Sequence, residues 1–338
     1  MADKAKYYNV NVVPESNTVN DRIILRYNEL NYCLNGLQLD RITLLIAPTN
    51  SGKTCFSSSM IIDAVSQGYN TFLFAGEDGG AEARDRLYRQ YLGNDKNNYD
   101  YMPYMLNSKK TNAGDFIIKH EAYVKATEFF GDHLFIYNNN IEADKNALLG
   151  ALEAAYKEAN CRFFLLDNVD MFNLEGGNYF NENEALKDIC IALRQFAISR
   201  KVHIVIVSHI KKTERNICRP EIFDCKGTST LTNIAKNILS IIRMDTINPN
   251  TKEYKALRNV IELNGYNPDE CNACIEILKT KGRRNGIIGM KFNTLSNTFL
   301  EQRRNKGEET REDQFVAYPK NKTLEEIAEE AAIIDDIF

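Results

Sequence analysis

Eight consecutive residues, Ala47-Pro48-Thr49-Asn50-Ser51-Gly52-Lys53-Thr54, carry the first recognisable chemistry in the chain. An apolar run, Ile42-Thr43-Leu44-Leu45-Ile46, leads into them and a helical pattern leads out. This is the P-loop arrangement with Ala in place of the first glycine. The backbone N–H groups of Asn50 to Thr54, at a helix N-terminus, are expected to wrap a β-phosphate, with Thr49 and Cys55 flanking the cradle. Gly52 lets the backbone approach closely, Lys53 reaches the β- and γ-phosphates, and the Thr54 hydroxyl ligates Mg²⁺. The expected ligand is ATP with Mg²⁺.

Three further strand ends carry polar groups suited to hydrolysis. Arg162-Phe163-Phe164-Leu165-Leu166 ends at Asp167, where a nucleotide site holds its metal, and Asn168 and Asp170 follow closely enough to share that duty. Thr71–Ala75 ends in Gly76-Glu77-Asp78, and a carboxylate there orients and polarises an attacking water. Chemistry alone does not separate Glu77 from Asp78, although Asp78 also suits a helix cap. His203–Val207 ends in Ser208-His209-Ile210-Lys211-Lys212, which places His209 where a γ-phosphate and its loss can be sensed.

These residues need a scaffold that brings strand ends together, and the hydrophobic pattern supplies one. Strands are expected at Ile42–Ala47, Thr71–Ala75, His133–Tyr137, Arg162–Leu166, His203–Val207 and Ile238–Ile242. Helical patterns alternate with most of them, at Thr54–Ser66, Ala81–Tyr91, Ala143–Ala159 and Glu182–Ser199. Short buried strands alternating with helices predict an α/β fold with a mostly parallel central sheet covered by helices on both faces. Near the end, Cys274–Lys279, Gly286–Asn293 and Thr298–Glu301 predict a C-terminal antiparallel β extension. Residues 1–22 read as a polar N-terminal arm, 23–303 as the ATPase domain, and 304–338 as a charged linker and acidic tail. Within that tail, Thr323 and Glu326 have capping-box spacing for a final helix.

Composition sets limits on this picture. The 338 residues carry 42 Lys plus Arg against 46 Asp plus Glu, a formal charge of −4 that excludes a general basic coat but not a local basic patch. No apolar run is long enough to span a bilayer and the N-terminus has no secretory pattern, so a cytoplasmic location is expected. The 8 cysteines are expected to be free thiols; the Cys271–Cys274 pair opens a strand pattern, and the Cys218–Cys225 spacing is too long for a zinc arm.

Taken together, the motifs resemble those of the RecA-type ATPases, and within them the DnaB-like replicative helicases. Leu30-Asn31-Tyr32-Cys33-Leu34-Asn35-Gly36-Leu37 resembles the "L-D-x-x-L-G-G-L" segment that precedes the phosphate loop in RecA-type proteins. The leading Ala of the loop and its A-P-T-N-S-G-K-T form are similar to those of the bacterial replicative helicases. Phe74-Ala75-Gly76-Glu77 lies where that family has its catalytic glutamate, which favours Glu77 over Asp78. Ser208-His209-Ile210-Lys211-Lys212 is similar to the His-bearing motif of the phage primase–helicases and of the mitochondrial helicase Twinkle. Arg219-Pro220, Lys226-Gly227-Thr228-Ser229 and the strand ending in Arg243 resemble the second DNA-binding loop. Leu278-Lys279-Thr280-Lys281-Gly282-Arg283-Arg284-Asn285-Gly286 resembles the "K-x-R-x-x-G" finger segment with one extra residue, so Arg283 and Arg284 compete for the finger role beside Lys281.

The resemblance implies a ring, expected to be a hexamer, in which each finger acts on the neighbour's ATP. It also implies translocation on single-stranded DNA gripped by Lys211, Lys212, Lys226 and Gly227. Tyr179, in the loop after Asp167, is a weaker candidate for base stacking. No primase or collar domain is recognisable, so primer synthesis is not expected. The expected setting is a bacterial or phage-infected cell, with the mitochondrial matrix as the alternative. The tail tip, Ile333-Ile334-Asp335-Asp336-Ile337-Phe338, is similar to acidic tips that dock replication partners; a solubilising acidic helix is the plainer alternative. Two competing functions remain at this point: a recombinase-like or regulatory DNA-binding ATPase that does not unwind, and a P-loop protein that uses nucleotide as an assembly switch.

Overall fold

The computed structural model describes residues 22–106, 109–138, 145–168, 182–211, 219–226 and 229–304. In chain order the elements are β1 (Arg22–Ile23), α1 (Asn28–Leu34), β2 (Leu37–Gln38), β3 (Ile42–Ala47), α2 (Lys53–Ser66), β4 (Asn70–Ala75) and α3 (Gly80–Leu92). A hairpin of β5 (Tyr99–Leu106) and β6 (Lys109–Ile118) follows, then α4 (His120–Phe130), β7 (Leu134–Ile136), α5 (Lys145–Glu158) and β8 (Cys161–Asp167). The remainder comprises α6 (Glu182–Arg200), β9 (His203–His209), α7 (Ser229–Ile234), β10 (Asn237–Arg243), α8 (Lys252–Leu263), β11 (Ala273–Lys279), β12 (Gly286–Asn293) and β13 (Thr298–Glu301).

Nine strands form the central sheet in the order β13-β12-β11-β10-β3-β9-β8-β4-β7. From β10 to β7 every pairing is parallel, and β11, β12 and β13 continue the sheet antiparallel. The expected architecture, a parallel core with an antiparallel extension, is therefore the one observed. Successive side chains on a strand face opposite ways, and the apolar runs supply both faces. Leu45, Leu73, Leu165, Val207 and Leu239 pack on one side with Phe56 and Met60 of α2 and Leu87 of α3. Leu44, Phe74, Phe164, Ile206 and Ile238 pack on the other with Leu148 of α5 and Leu193 of α6. Double-sided burial explains why these strands read as continuous apolar segments rather than as alternating ones.

Several elements lie outside the expectations. The hairpin β5–β6 forms its own two-stranded sheet. Helix α4 buries only Ala122, Ala126 and Phe130, and α8 buries only Leu257 and Ile261. Stripes this narrow, partly built of alanine, give weak periodicity. The strand expected at His133–Tyr137 is trimmed to Leu134–Ile136. Arg22, assigned to the arm, pairs with Gln38 in β1–β2. The acidic tail, Lys212, Gly227, Asp170 and Tyr179 lie outside the described residues.

Two buried polar residues fix the segment before the phosphate loop. Asn31 accepts from the Leu25 N–H at 2.8 Å and donates back to the Leu25 carbonyl. His203 is wholly buried, with Nδ1 at 2.7 Å from the Gln38 carbonyl and Nε2 at 3.1 Å from the Thr43 hydroxyl. Burial lowers its pKa to about 4, so the ring is neutral in the fold.

Candidate active site

Parallel register sets the site. Ala47 lies beside His209, Val207 beside Asp167, and Asp167 beside Ala75. The C-terminal ends of β3, β9, β8 and β4 thus lie in a row, and the phosphate loop, His209, Asp167 and Glu77 emerge there. Open α/β sheets bind ligands at this edge.

The loop from Ala47 to Gly52 turns sharply through Asn50 (φ 62°) and Gly52 (φ 83°) before α2 begins at Lys53. The Ser51 hydroxyl donates to the Pro48 carbonyl at 2.6 Å and closes the turn. Gly52 is required twice over. Its φ is left-handed, and a Cβ there would stand 2.8 Å from Cζ of Phe299 on β13. Phe299 in turn packs on Phe56 of α2 and on Phe292 of β12, so the antiparallel extension braces the loop from behind. The Arg243 guanidinium, at the end of β10, lies 3.8 Å above the Phe292 ring, a cation–aromatic stack beside the loop.

Lys53 is buried, and its ammonium donates to the carbonyls of Ala47 and Pro48 at 3.3 and 3.2 Å. It also lies 3.3 Å from Nδ1 of His209. On the other side of the same ring, Nε2 lies 2.8 Å from Oε1 of Glu77. The Asn168 amide nitrogen donates to that same Glu77 oxygen and stands 2.9 Å from the histidine Nε2. Lys53, His209, Asn168 and Glu77 thus form one connected cluster.

Asp167 and Thr54 are the pair expected to hold Mg²⁺. Asp167 is buried, and burial pushes its carboxyl above the ordinary range, opposed by a hydrogen bond from Thr54 and by the charges of Arg86 and Lys53. Its Oδ2 is buried with no hydrogen-bond partner. A carboxylate oxygen left open beside a hydroxyl is a donor set that fits a hard, oxygen-seeking cation such as Mg²⁺.

The structure separates the two carboxylates that sequence chemistry left equivalent. Glu77 is half-exposed and belongs to the cluster, whereas Asp78 is ion-paired with Arg86 of α3. Asn168, considered for metal holding, directs its amide nitrogen at Glu77. That role needs the side-by-side placement of β4 and β8, which no linear motif encodes.

The finger segment lies elsewhere. Lys279 pairs with Ile238 near the start of β10, and Asn237 pairs with Thr43 near the start of β3. Residues 280–285 therefore leave the sheet at the edge opposite the phosphate loop. Thr43 to Ala47 alone spans roughly 13 Å of strand. Gly282 packs so tightly that a Cβ would stand 2.2 Å from the Cys33 carbonyl, and the Arg283 N–H donates to that carbonyl at 2.7 Å. The Arg283 guanidinium lies 4.6 Å from the Tyr32 ring centre, and Arg284 is ion-paired with Glu29. Both arginines thus contact α1 of their own chain, not its phosphate loop.

Beyond His209 the chain enters the candidate basic loop. Ile210 bridges Cys225, the Lys211 N–H donates to Asp224, and the Lys226 N–H donates to the His209 carbonyl at 2.9 Å. Lys211 and Lys226 are therefore tied by backbone to the residue that touches Lys53 and Glu77.

Comparison with known proteins agrees with this geometry. The model of the DnaB-like helicase C-terminal domain matches residues 23–301. Among solved structures, the chain is similar to the isolated ATPase domain of a DnaB-like replicative helicase, with a TM-score of 0.62 and 16% identity over 84% of this chain and 93% of that one. It is also similar to a second DnaB-like replicative helicase, described with its interactions with primase, with a TM-score of 0.62 and 17% identity over 82% of this chain and 63% of that one. At these identities the structural likeness is one of fold. No match is found among curated proteins.

Proposed function

The chain belongs to the DnaB-like helicase C-terminal domain family, an NTP-hydrolysing replicative helicase family, and from that membership we propose that it is an ATP-driven ring helicase that translocates on single-stranded DNA. The observation that carries this reading is the opposition of the two halves of the site. The phosphate loop, Asp167, Glu77 and His209 lie at one edge of the sheet, and Arg283 and Arg284 leave it at the other. A finger displaced in this way serves the site of a neighbouring copy, and a repeated head-to-tail contact closes into a ring. A hexamer is the ring we assign. Primer synthesis is not part of this function.

In hydrolysis, the backbone of Asn50 to Thr54 and Lys53 hold the phosphates, and Thr49 and Cys55 flank them. Thr54 and Asp167 would hold Mg²⁺, which when bound neutralises charge on the phosphate oxygens. Glu77 orients a water whose oxygen bonds to the γ-phosphorus while the bridging P–O bond breaks and its electron pair leaves with ADP. The water proton passes to the Glu77 carboxylate. Lys281 with Arg283 or Arg284 from the next copy stabilises the charge that develops, a contribution on the order of 10³ to 10⁵ in rate.

His209 accepts from Lys53 through Nδ1 and donates to Glu77 through Nε2, so it registers whether a γ-phosphate is present. Its carbonyl holds Lys226, so that information passes to the basic loop of Lys211, Lys212, Lys226 and Gly227. These groups grip phosphates without reading sequence. Among the described residues no helix is long and apolar enough to cross a membrane, and we place the work of the protein in the cytoplasm of a bacterial or phage-infected cell. The acidic tail is the surface we assign to a replication partner. The test is ATP hydrolysis with and without single-stranded DNA, run with a mass measurement of the assembly and strand separation on a fork. The reading predicts stimulated turnover, a ring mass and unwinding; a lone copy with unstimulated turnover contradicts it.

A further inference from the structure

The turn between Arg219 and Lys226 presents one large apolar side chain to solvent. Phe223 is 69% exposed, whereas Cys225, two residues on, is buried. The Phe223 backbone is held firmly. Its carbonyl accepts from the Lys211 ammonium at 2.7 Å, and Asp224 accepts from the Lys211 N–H at 2.7 Å. The start of the turn is anchored by Arg219, which grips Glu276 of β11 through both guanidinium nitrogens at 2.8 and 2.6 Å. The Ile210–Cys225 bridge joins the turn to the end of β9.

An exposed phenylalanine alone is ordinary. This one stands on a rigid turn whose backbone fixes one lysine, three residues before another, and that turn hangs from the strand end bearing His209. Aromatic rings set among lysines on such a surface match the way single-stranded nucleic acid is held, with cations on the phosphates and rings against the base faces. A protein partner would gain from a wider apolar patch, but here the flanking groups are charged. The partner chemistry that fits both features is an unpaired base on a polyphosphate strand.

We propose that Phe223 stacks on an unpaired nucleobase of the translocated strand, making it the base-contacting member of the loop whose lysines hold the backbone. This rests on the single-strand motor reading above and deepens it. Because the turn is bonded to the His209 carbonyl through Lys226, the stacked base sits on the path between phosphate and strand. Stacking is sequence-tolerant, since every base offers a π-face.

The chain contains no tryptophan, so Phe223→Trp creates a single emitting reporter in the full-length protein. Two probes separate base from backbone: an oligothymidylate of about 20 nucleotides, and an abasic strand of the same length and charge. Anisotropy of an end label reports binding independently. The proposal predicts that tryptophan emission is quenched by the oligothymidylate and far less by the abasic strand at equal occupancy. It also predicts that Phe223→Ala weakens oligothymidylate binding by roughly 5- to 100-fold while leaving abasic affinity unchanged, and that Phe223→Tyr stays near wild type. Binding by anisotropy with unaltered emission and no effect of Phe223→Ala overturns the proposal and leaves the motor reading standing. Emission that changes with protein concentration alone assigns Phe223 to a contact between copies and also overturns it. No binding of either strand by the wild type removes the motor reading, and the stacking role with it.

Discussion

Nδ1 of His209 stands 3.3 Å from the Lys53 ammonium, while Nε2 of the same ring stands 2.8 Å from Glu77. An ammonium has donors only, so Nδ1 accepts and the proton sits on Nε2, from which it is donated to the carboxylate. The imidazole therefore bridges the group that holds phosphate and the group that activates water. An arriving γ-phosphate competes for Lys53, and that competition reaches Glu77 through one ring.

Lys53→Ala is expected to lower hydrolysis by at least about 10²-fold, since it removes a preorganised cation from the transferring phosphoryl group. A steady-state phosphate-release assay checks this. Turnover within a few-fold of wild type would remove Lys53 from the site.

Asn168 tests the positioning half of the cluster. Its amide donates to Glu77, so Asn168→Ala is expected to lower kcat on the order of 10-fold while nucleotide affinity stays near wild type. Asn168→Asp sets a second carboxylate against Glu77 and is expected to be worse. A fall in nucleotide affinity with kcat unchanged would show that Asn168 serves binding rather than the placement of Glu77.

Gly52→Ala combines a left-handed φ with a Cβ set 2.8 Å from the Phe299 ring. A loss of about 1–3 kcal/mol is expected in denaturant melts, together with weaker nucleotide binding. Pairing it with Phe299→Ala relieves the contact but not the backbone strain, so the double variant should recover only part. Full recovery would mean that the ring, not the φ, demands glycine.

Stability should depend on pH through His203. Its folded pKa, about 4, lies below its ordinary value of 6.5, so the unfolded chain binds more protons between the two. The contribution is fully present above pH 6.5 and is lost as the pH falls toward 4, about 3 kcal/mol in all at about 1.36 kcal/mol per unit. Glu301, raised to about 7 by burial, titrates with the opposite sign, so the comparison is wild type against His203→Gln at each pH. Equal acid sensitivity in the two proteins would contradict the assignment.

Much of this site is legible in the chain because its chemistry sits at strand ends. Ile42–Ala47 and the residues after it announce a strand, a cradle and a helix, and Asp167, Glu77 and His209 each close an apolar run. Their convergence follows from parallel register, which the alternation of strand and helix implies. Contacts across the sheet are not legible in that way. The Asn168–Glu77 bond joins β8 to β4, and Phe299 reaches Gly52 from 247 positions away in sequence. Nor does a linear pattern reveal the hairpin β5–β6, where Pro103 and several polar residues blur the alternation, or α4, whose buried stripe is mostly alanine.

The claim on which the rest depends is that a finger displaced to the far edge of its own sheet completes the neighbour's site. Mixing two dead variants tests it most directly. Lys53→Ala lacks a working phosphate loop but keeps its finger; the double variant Arg283→Ala with Arg284→Ala keeps its loop but lacks the finger. Each alone is predicted to be inactive. An equimolar mixture, reassembled with nucleotide and single-stranded DNA, should regain ATP hydrolysis at up to roughly a quarter of the wild-type rate, the share of seams that pair an intact loop with an intact finger. A mixture as inactive as its parts, or a finger variant that hydrolyses at the wild-type rate alone, would contradict the account.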